Sequence, residues 1–235
     1  MSQHDLITDL HARHPDITHA LPGDDMYARS LDLWNGGVTT RPAVIARPTS
    51  TDQVASLVRI AREHGTPLAV RGGGHDWLGR SLAADGLTID LAVLRDVRIE
   101  GTEAIVGGGA LARDLVAETS PRGLLAATGT DGSVGLAGLS LAGGYGPLLG
   151  TAGLACDNIL GAEVVLADGT VTSTQEDPEL LWALEGRRRE LRRGHVDADR
   201  PAPRFRHRRW DRALPGVAGV DGARRLRRAH RTRDP

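Results

Sequence analysis

Seven of the eighteen residues from Gly129 to Gly146 are glycine. No core strand or helix accepts that density without cause, because each glycine costs stability relative to alanine. Close approach of backbone to a large flat or phosphorylated ligand is such a cause. A second run, Arg71-Gly72-Gly73-Gly74-His75-Asp76-Trp77-Leu78-Gly79-Arg80, makes a loop with little side-chain bulk. Its N–H groups can face an anion such as a pyrophosphate, with Arg71 adding charge. The run is neither a P-loop, since no Gly-Lys-Ser/Thr follows, nor a dinucleotide GxGxxG opening a helix. Alone, it reads equally well as a flexible turn carrying a stray histidine. Two such loops in one small domain favour the ligand.

The flanking pattern says where the loops sit. Residues 24–42 are polar and predict a short helix followed by a loop. Pro42-Ala-Val-Ile-Ala-Arg-Pro48 predicts a short strand between prolines. Ser50 or Thr51 can cap a helix over 51–63, where Val54, Leu57, Val58, Ile60 and Ala61 recur at helical spacing. Gly65 ends it. Thr66–Val70 then predicts a second strand, so the first glycine run leaves a parallel βαβ unit. Residues 87–91 predict a strand, 96–107 a hairpin around Glu100-Gly101-Thr102, and 110–119 a helix. Residues 159–174 predict a hairpin turning at Asp168-Gly169. Pro178 opens a last helix through Leu184.

These segments, in this order, resemble the FAD-binding (PCMH-type) domain of the vanillyl-alcohol oxidase / p-cresol methylhydroxylase superfamily, in its berberine-bridge-enzyme-like branch. The resemblance is carried by PGDDMY and WN within 22–35, RPAVIARPTSTDQV at 41–54, RGGGHDWLGR at 71–80 and GLTIDL at 86–91. It continues through VGLAGLSLAGGYG at 134–146, GLACDN at 153–158, AEVVLADG at 162–169 and LLWALEG at 180–186. It implies an α+β fold in two lobes: a small parallel βαβ lobe over 38–98 and a mostly antiparallel lobe with helices over 99–186, after a leader at 1–37.

The resemblance also implies FAD as cofactor, bonded covalently through its 8α-methyl to His75. Arg71, Gly72, Gly73, Gly74 and Gly79 would line the pyrophosphate. Gly135, Gly138, Gly143, Gly144, Tyr145 and Gly146 would lie along the cofactor, with Gly153, Asn158 and Val164 near it. Some members add a second link through a cysteine three residues before the Val-Gly of the second loop. Asp131 holds that position here, so a single link is expected. The usual third glycine of that loop is Ala142, tolerable only where φ is negative. The implied reaction is oxidation of an alcohol or related C–H bond, with hydride passing to flavin N5 and molecular oxygen reoxidising the flavin to give hydrogen peroxide. The expected partners are therefore a small-molecule substrate and oxygen.

Charge breaks near residue 186. Residues 1–186 hold 12 Arg against 24 acidic residues, and residues 187–235 hold 17 Arg against 6. The family continues after LLWALEG with glycines and then Asn-Phe-Gly, where this chain has Arg187-Arg188-Arg189-Glu190-Leu191-Arg192-Arg193. Those residues can be encoded CGG CGG CGG GAA CTT CGG CGG, which reads Gly-Gly-Gly-Asn-Phe-Gly from the second base. A frameshift near 186 is therefore expected, leaving a disordered, non-native tail over 187–235 and a truncated oxidoreductase. Its catalytic residues, substrate domain and last FAD-contacting segment would be missing.

Two other readings remain open: a flavin-binding remnant without turnover, and an interaction protein working through its Arg-rich tail. The tail shows no nucleic-acid module, and no nucleic-acid partner is expected. No apolar run is long enough to cross a membrane and no signal peptide is evident, so a cytoplasmic location is expected. Cys156, the one cysteine, is read as structural and excludes an internal disulfide. His4, His11, His14 and His19 are irregularly spaced, and no metal is expected. Trp77 and Trp182 are read as packing residues.

Overall fold

The computed structural model describes residues 3–184, together with the backbone of 222–225 and 227–228. The first lobe is built on a four-stranded sheet in the order β1-β2-β4-β3. Its strands are β1 (Thr18–Ala20), β2 (Val44–Arg47), β3 (Leu68–Arg71) and β4 (Leu87–Asp90). β4 lies parallel to both β2 and β3, and β1 joins the edge antiparallel. Helix α3 (Thr51–Glu63) crosses over between β2 and β3. Ser50 caps it by accepting a bond from Gln53 N–H, and the predicted apolar positions of α3 are all buried. The βαβ unit stands as the periodicity predicted, with β4 inserted between its two strands.

The N-terminal residues form more structure than a leader. Helix α1 (Gln3–Arg13) buries Leu6 and Leu10 in one cluster with Ile17, Val54, Leu57, Ile60 and Leu87. Leucines spaced i, i+4 on a polar helix make a stripe wide enough to dock on α3. Helix α2 (Asp25–Ser30) supplies the short helix expected near residue 24.

The second lobe centres on a sheet whose neighbours are all antiparallel. β5 (Val97–Glu100) and β6 (Glu103–Val106) form one hairpin, turning at Gly101 with φ of +64°. β8 (Ile159–Val165) and β9 (Val171–Ser173) form the other, turning at Gly169 with φ of +81°. Helix α4 (Ala112–Thr119), the two-residue strand β7 (Leu124–Leu125), α5 (Leu136–Leu141) and α6 (Leu149–Ala152) fall between the hairpins. Helix α7 (Pro178–Leu184) follows them. Val165 reaches the core of the first lobe, and Thr51 Oγ1 donates to Glu163 Oε1 at 2.8 Å, so the lobes share a seam.

The tail departs from expectation in six residues. β10 (Gly222–Arg225) pairs with β6 on one side and β8 on the other, and β11 (Arg227–Arg228) pairs with β7. Two hairpins facing each other across a strand-wide gap present unpaired N–H and C=O groups, and backbone from any sequence can satisfy them. The rest of 185–235, with the proposed frame change and the expected disorder, lies outside the described residues. Among the described residues no helix is long and apolar enough to cross a membrane.

Candidate functional site

The first glycine loop leaves the C-terminal end of β3, and a buried charge network fixes its base. Asp90 at the end of β4 is 0% exposed. It accepts from Arg47 Nε at 2.9 Å, Arg71 Nη1 at 3.2 Å, Ser30 Oγ at 3.2 Å and the Ala92 N–H at 3.2 Å. Arg71 Nη2 donates to the Asp32 carbonyl at 3.2 Å. Arg71 thus lies at the base of the loop, where it shares the single carboxylate of Asp90 with Arg47. Its Nε is buried without a partner among the described residues.

Above this base, the N–H groups of residues 72–75 meet no acceptor among the described residues. Gly74 has φ of +70°, the left-handed turn that lets successive N–H groups converge on an anion. The loop fits a phosphorylated cofactor on that ground. Gly73 and Gly135 bring the two glycine loops into backbone contact. A Cβ on Gly73 would lie 2.8 Å from the Ser133 carbonyl oxygen and closer still to the Gly135 nitrogen. Gly79, at φ of +71°, packs on Val38 and shapes the far end of the loop.

His75 faces the second loop. Its Nε2 lies 2.8 Å from Ser133 Oγ, and both the Ser133 hydroxyl and N–H donate to Asp131 Oδ1 at 2.7 Å. These bonds hold the Asp131 carboxyl below its ordinary pKa, the hydroxyl contributing most. Trp34 stacks on His75 with centroids 6.0 Å apart and planes at 24°, and Trp77 leans on Trp34 at 5.4 Å. Trp34 is 58% and Trp77 64% exposed, so Trp77 is not the packing residue the sequence predicts. Half-buried Trp182 lies on α7. Trp34 and Ser133 escaped sequence reasoning. The signal for Trp34 was the WN pair at 34–35, and Ser133 stood unremarked inside the second loop.

The remaining glycines form a neighbouring group. Gly143 and Gly144 have φ of +94° and +74°, and their carbonyls accept from Cys156 N–H at 2.9 Å and Ala155 N–H at 2.7 Å. Ala142 has φ of −97°, the sign its methyl requires. A Cβ on Gly146 would collide with the Thr128 carbonyl, and one on Gly153 would lie 2.6 Å from Asp157 Oδ2. Gly138 is exposed on α5, and Tyr145 is 77% exposed. Gly72 is nearly open, its would-be Cβ meeting only the Gly108 carbonyl at 3.9 Å.

Two of the implied positions also pack the fold. Asn158 donates to the Ala152 and Leu154 carbonyls at 2.9 and 2.7 Å, folding its own loop. The Val164 side chain is fully buried in the cluster of Leu141, Cys156 and Leu184. Cys156 is buried there too, as a structural cysteine should be.

A family model described as an FAD binding domain matches residues 42–175. (R)-6-Hydroxynicotine oxidase of Paenarthrobacter nicotinovorans is 41% identical over 169 residues, which are 70% of this chain and 37% of that protein. An FAD-linked oxidoreductase of Gibberella zeae is 39% identical over 179 residues, 72% of this chain and 35% of that protein. The chain therefore spans little more than a third of these relatives' length. Among solved structures, 6-hydroxy-D-nicotine oxidase from Arthrobacter nicotinovorans superposes with a TM-score of 0.76 at 33% identity, over 91% of this chain and 42% of that one. A glucooligosaccharide oxidase from Acremonium strictum shares the fold, with a TM-score of 0.77 at 24% identity over 95% of this chain and 42% of that one. The chain belongs to the FAD-binding domain family found in FAD-linked oxidoreductases.

Proposed function

We propose that this chain is the cofactor-holding part of an FAD-dependent oxidase, bonded to the flavin once, through His75. The observation that carries the proposal is the run of N–H groups at residues 72–75 without an acceptor among the described residues, ending on a half-buried histidine that faces the second glycine loop. Residues 72–75 would receive the pyrophosphate, and Gly135, Gly138 and Gly143–Gly146 would lie along the cofactor. Arg71 would hold the loop from below through Asp90. When bound, FAD supplies the acceptor for a hydride from an alcohol-like C–H bond and passes the electrons to oxygen.

Asp131 stands where a second, cysteinyl link would form and cannot make one. Trp34, Trp77 and Tyr145 present exposed ring surface that would shield the site from water once covered. The small-molecule substrate would be chosen by the remainder of the relatives' length, which this chain does not span. A flavin-binding remnant without turnover is the second reading.

The test is an intact mass and absorbance spectrum of the purified chain before and after acid precipitation. A mass increase of one FAD that stays with the precipitate and vanishes in His75→Ala is the expected result. Colourless protein of apo mass would refute the cofactor role. Peroxide released on addition of oxidisable alcohols separates oxidase from remnant.

A further inference from the structure

An ionised carboxylate oxygen can only accept hydrogen bonds, and a serine hydroxyl has one hydrogen to give. Ser133 gives it to Asp131 Oδ1 at 2.7 Å. Its oxygen must then accept from His75 Nε2 at 2.8 Å. A neutral imidazole with hydrogen on Nε2 carries its lone pair on Nδ1. Nδ1 has no partner among the described residues. The Trp34 ring at 6.0 Å restrains the imidazole plane.

We propose that Asp131 and Ser133 are positioning residues that act through His75: they fix its tautomer with Nδ1 bare and remove its Nε2 proton as the flavin bond forms. The proposal rests on the reading above that His75 joins the flavin. In that step a bond forms between Nδ1 and the 8α-carbon while one methyl C–H bond breaks. The methyl hydrogen leaves as a proton, and the Nε2 proton passes through the Ser133 hydroxyl to Asp131. The two electrons of the broken bond reduce the flavin and then dioxygen, which takes up two protons and departs as hydrogen peroxide. Asp131 lies at the surface, so its proton is released to water. Arg113 beside it favours the ionised carboxylate, as does any positive charge on His75. The relay thus occupies the loop position where a second covalent link is made in some relatives, with a base in place of a second bond.

The experiment uses the full chain purified without FAD. Nitrogen NMR of His75 should show hydrogen on Nε2 in the wild type and in Asp131→Asn, and a mixture of tautomers in Ser133→Ala. After FAD is added, intact mass follows the link and absorbance after gel filtration follows noncovalent binding. Ser133→Ala and Asp131→Asn should each slow linking on the order of a hundredfold, the scale of lost general-base assistance. Noncovalent binding should stay unchanged, and Ser133→Thr should restore the rate. A wild-type ring protonated at Nδ1, or variants linking as fast as wild type, overturns the relay and leaves the cofactor reading intact. A wild-type chain that holds FAD without linking overturns the covalent bond and the relay together. One that binds no FAD at all overturns the cofactor reading itself.

Discussion

Asp90 brings a charge into the interior, and two arginines and a serine surround it. Removing one partner of a buried pair leaves the others uncompensated. Asp90→Ala should therefore cost about 3 kcal/mol in urea denaturation, and it should loosen the loop that Arg71 supports. Gly73 and Gly138 make a paired prediction. Gly73→Ala puts a methyl into the Gly135 backbone and should part the two loops, abolishing flavin retention. Gly138→Ala meets no atom within 4 Å and should stabilise α5 by up to about 1 kcal/mol. If Gly138 lies along the cofactor, that variant folds better yet holds FAD less well, which thermal melts beside absorbance would reveal. The glycines were legible in the sequence because of their density, and the fold accounts for several of them by close backbone packing, as at Gly73, Gly135 and Gly146. Asp90 was not, because its partners come from three separated segments that only the fold brings together.

Elements with strong local signals emerged where the pattern put them. Helix α3 has an N-cap, an apolar stripe and a glycine stop, and Ser50→Ala should cost about 1 kcal/mol. Helix α4 is held at its start by Asp114, whose carboxylate accepts from the Leu111 N–H at 2.7 Å and pairs with Arg95 at 2.6 Å. Burial pushes the Asp114 carboxyl up, but Arg95 and the Leu111 N–H pull it further down, below its ordinary 3.8. A carboxylate depressed in the folded state lends stability above its unfolded pKa and loses it as pH falls through the folded value. Acid titration should therefore show α4 weakening below about pH 4, and Asp114→Asn should lose part of that dependence. Helix α1 went unread because two leucines among polar residues are too sparse a stripe to recognise until α3 supplies the surface they cover.

At the scale of the molecule, the second sheet closes only because β10 fills the gap between β6 and β8. A chain ending at residue 186 should split that sheet into two hairpins and melt several degrees lower. An unchanged melting temperature would show that the strand contributes nothing. The origin of the tail is a separate matter, read from the gene: codons for 187–193 incompatible with Gly-Gly-Gly-Asn-Phe-Gly in the second frame would end the frame-change proposal. No local pattern betrayed β10, since a strand of glycine, alanine and arginine has no apolar face to alternate.

His75 and Ser133 are 58 residues apart in the chain yet within bonding distance in space. During synthesis on the ribosome, the first glycine loop emerges long before the second and has nothing to close against. Long-range closure of this kind is slow compared with forming a helix or a hairpin. Colour should thus appear late in translation, after residue 146 clears the exit tunnel. The interval before it is when an early, half-made cradle is most exposed to aggregation.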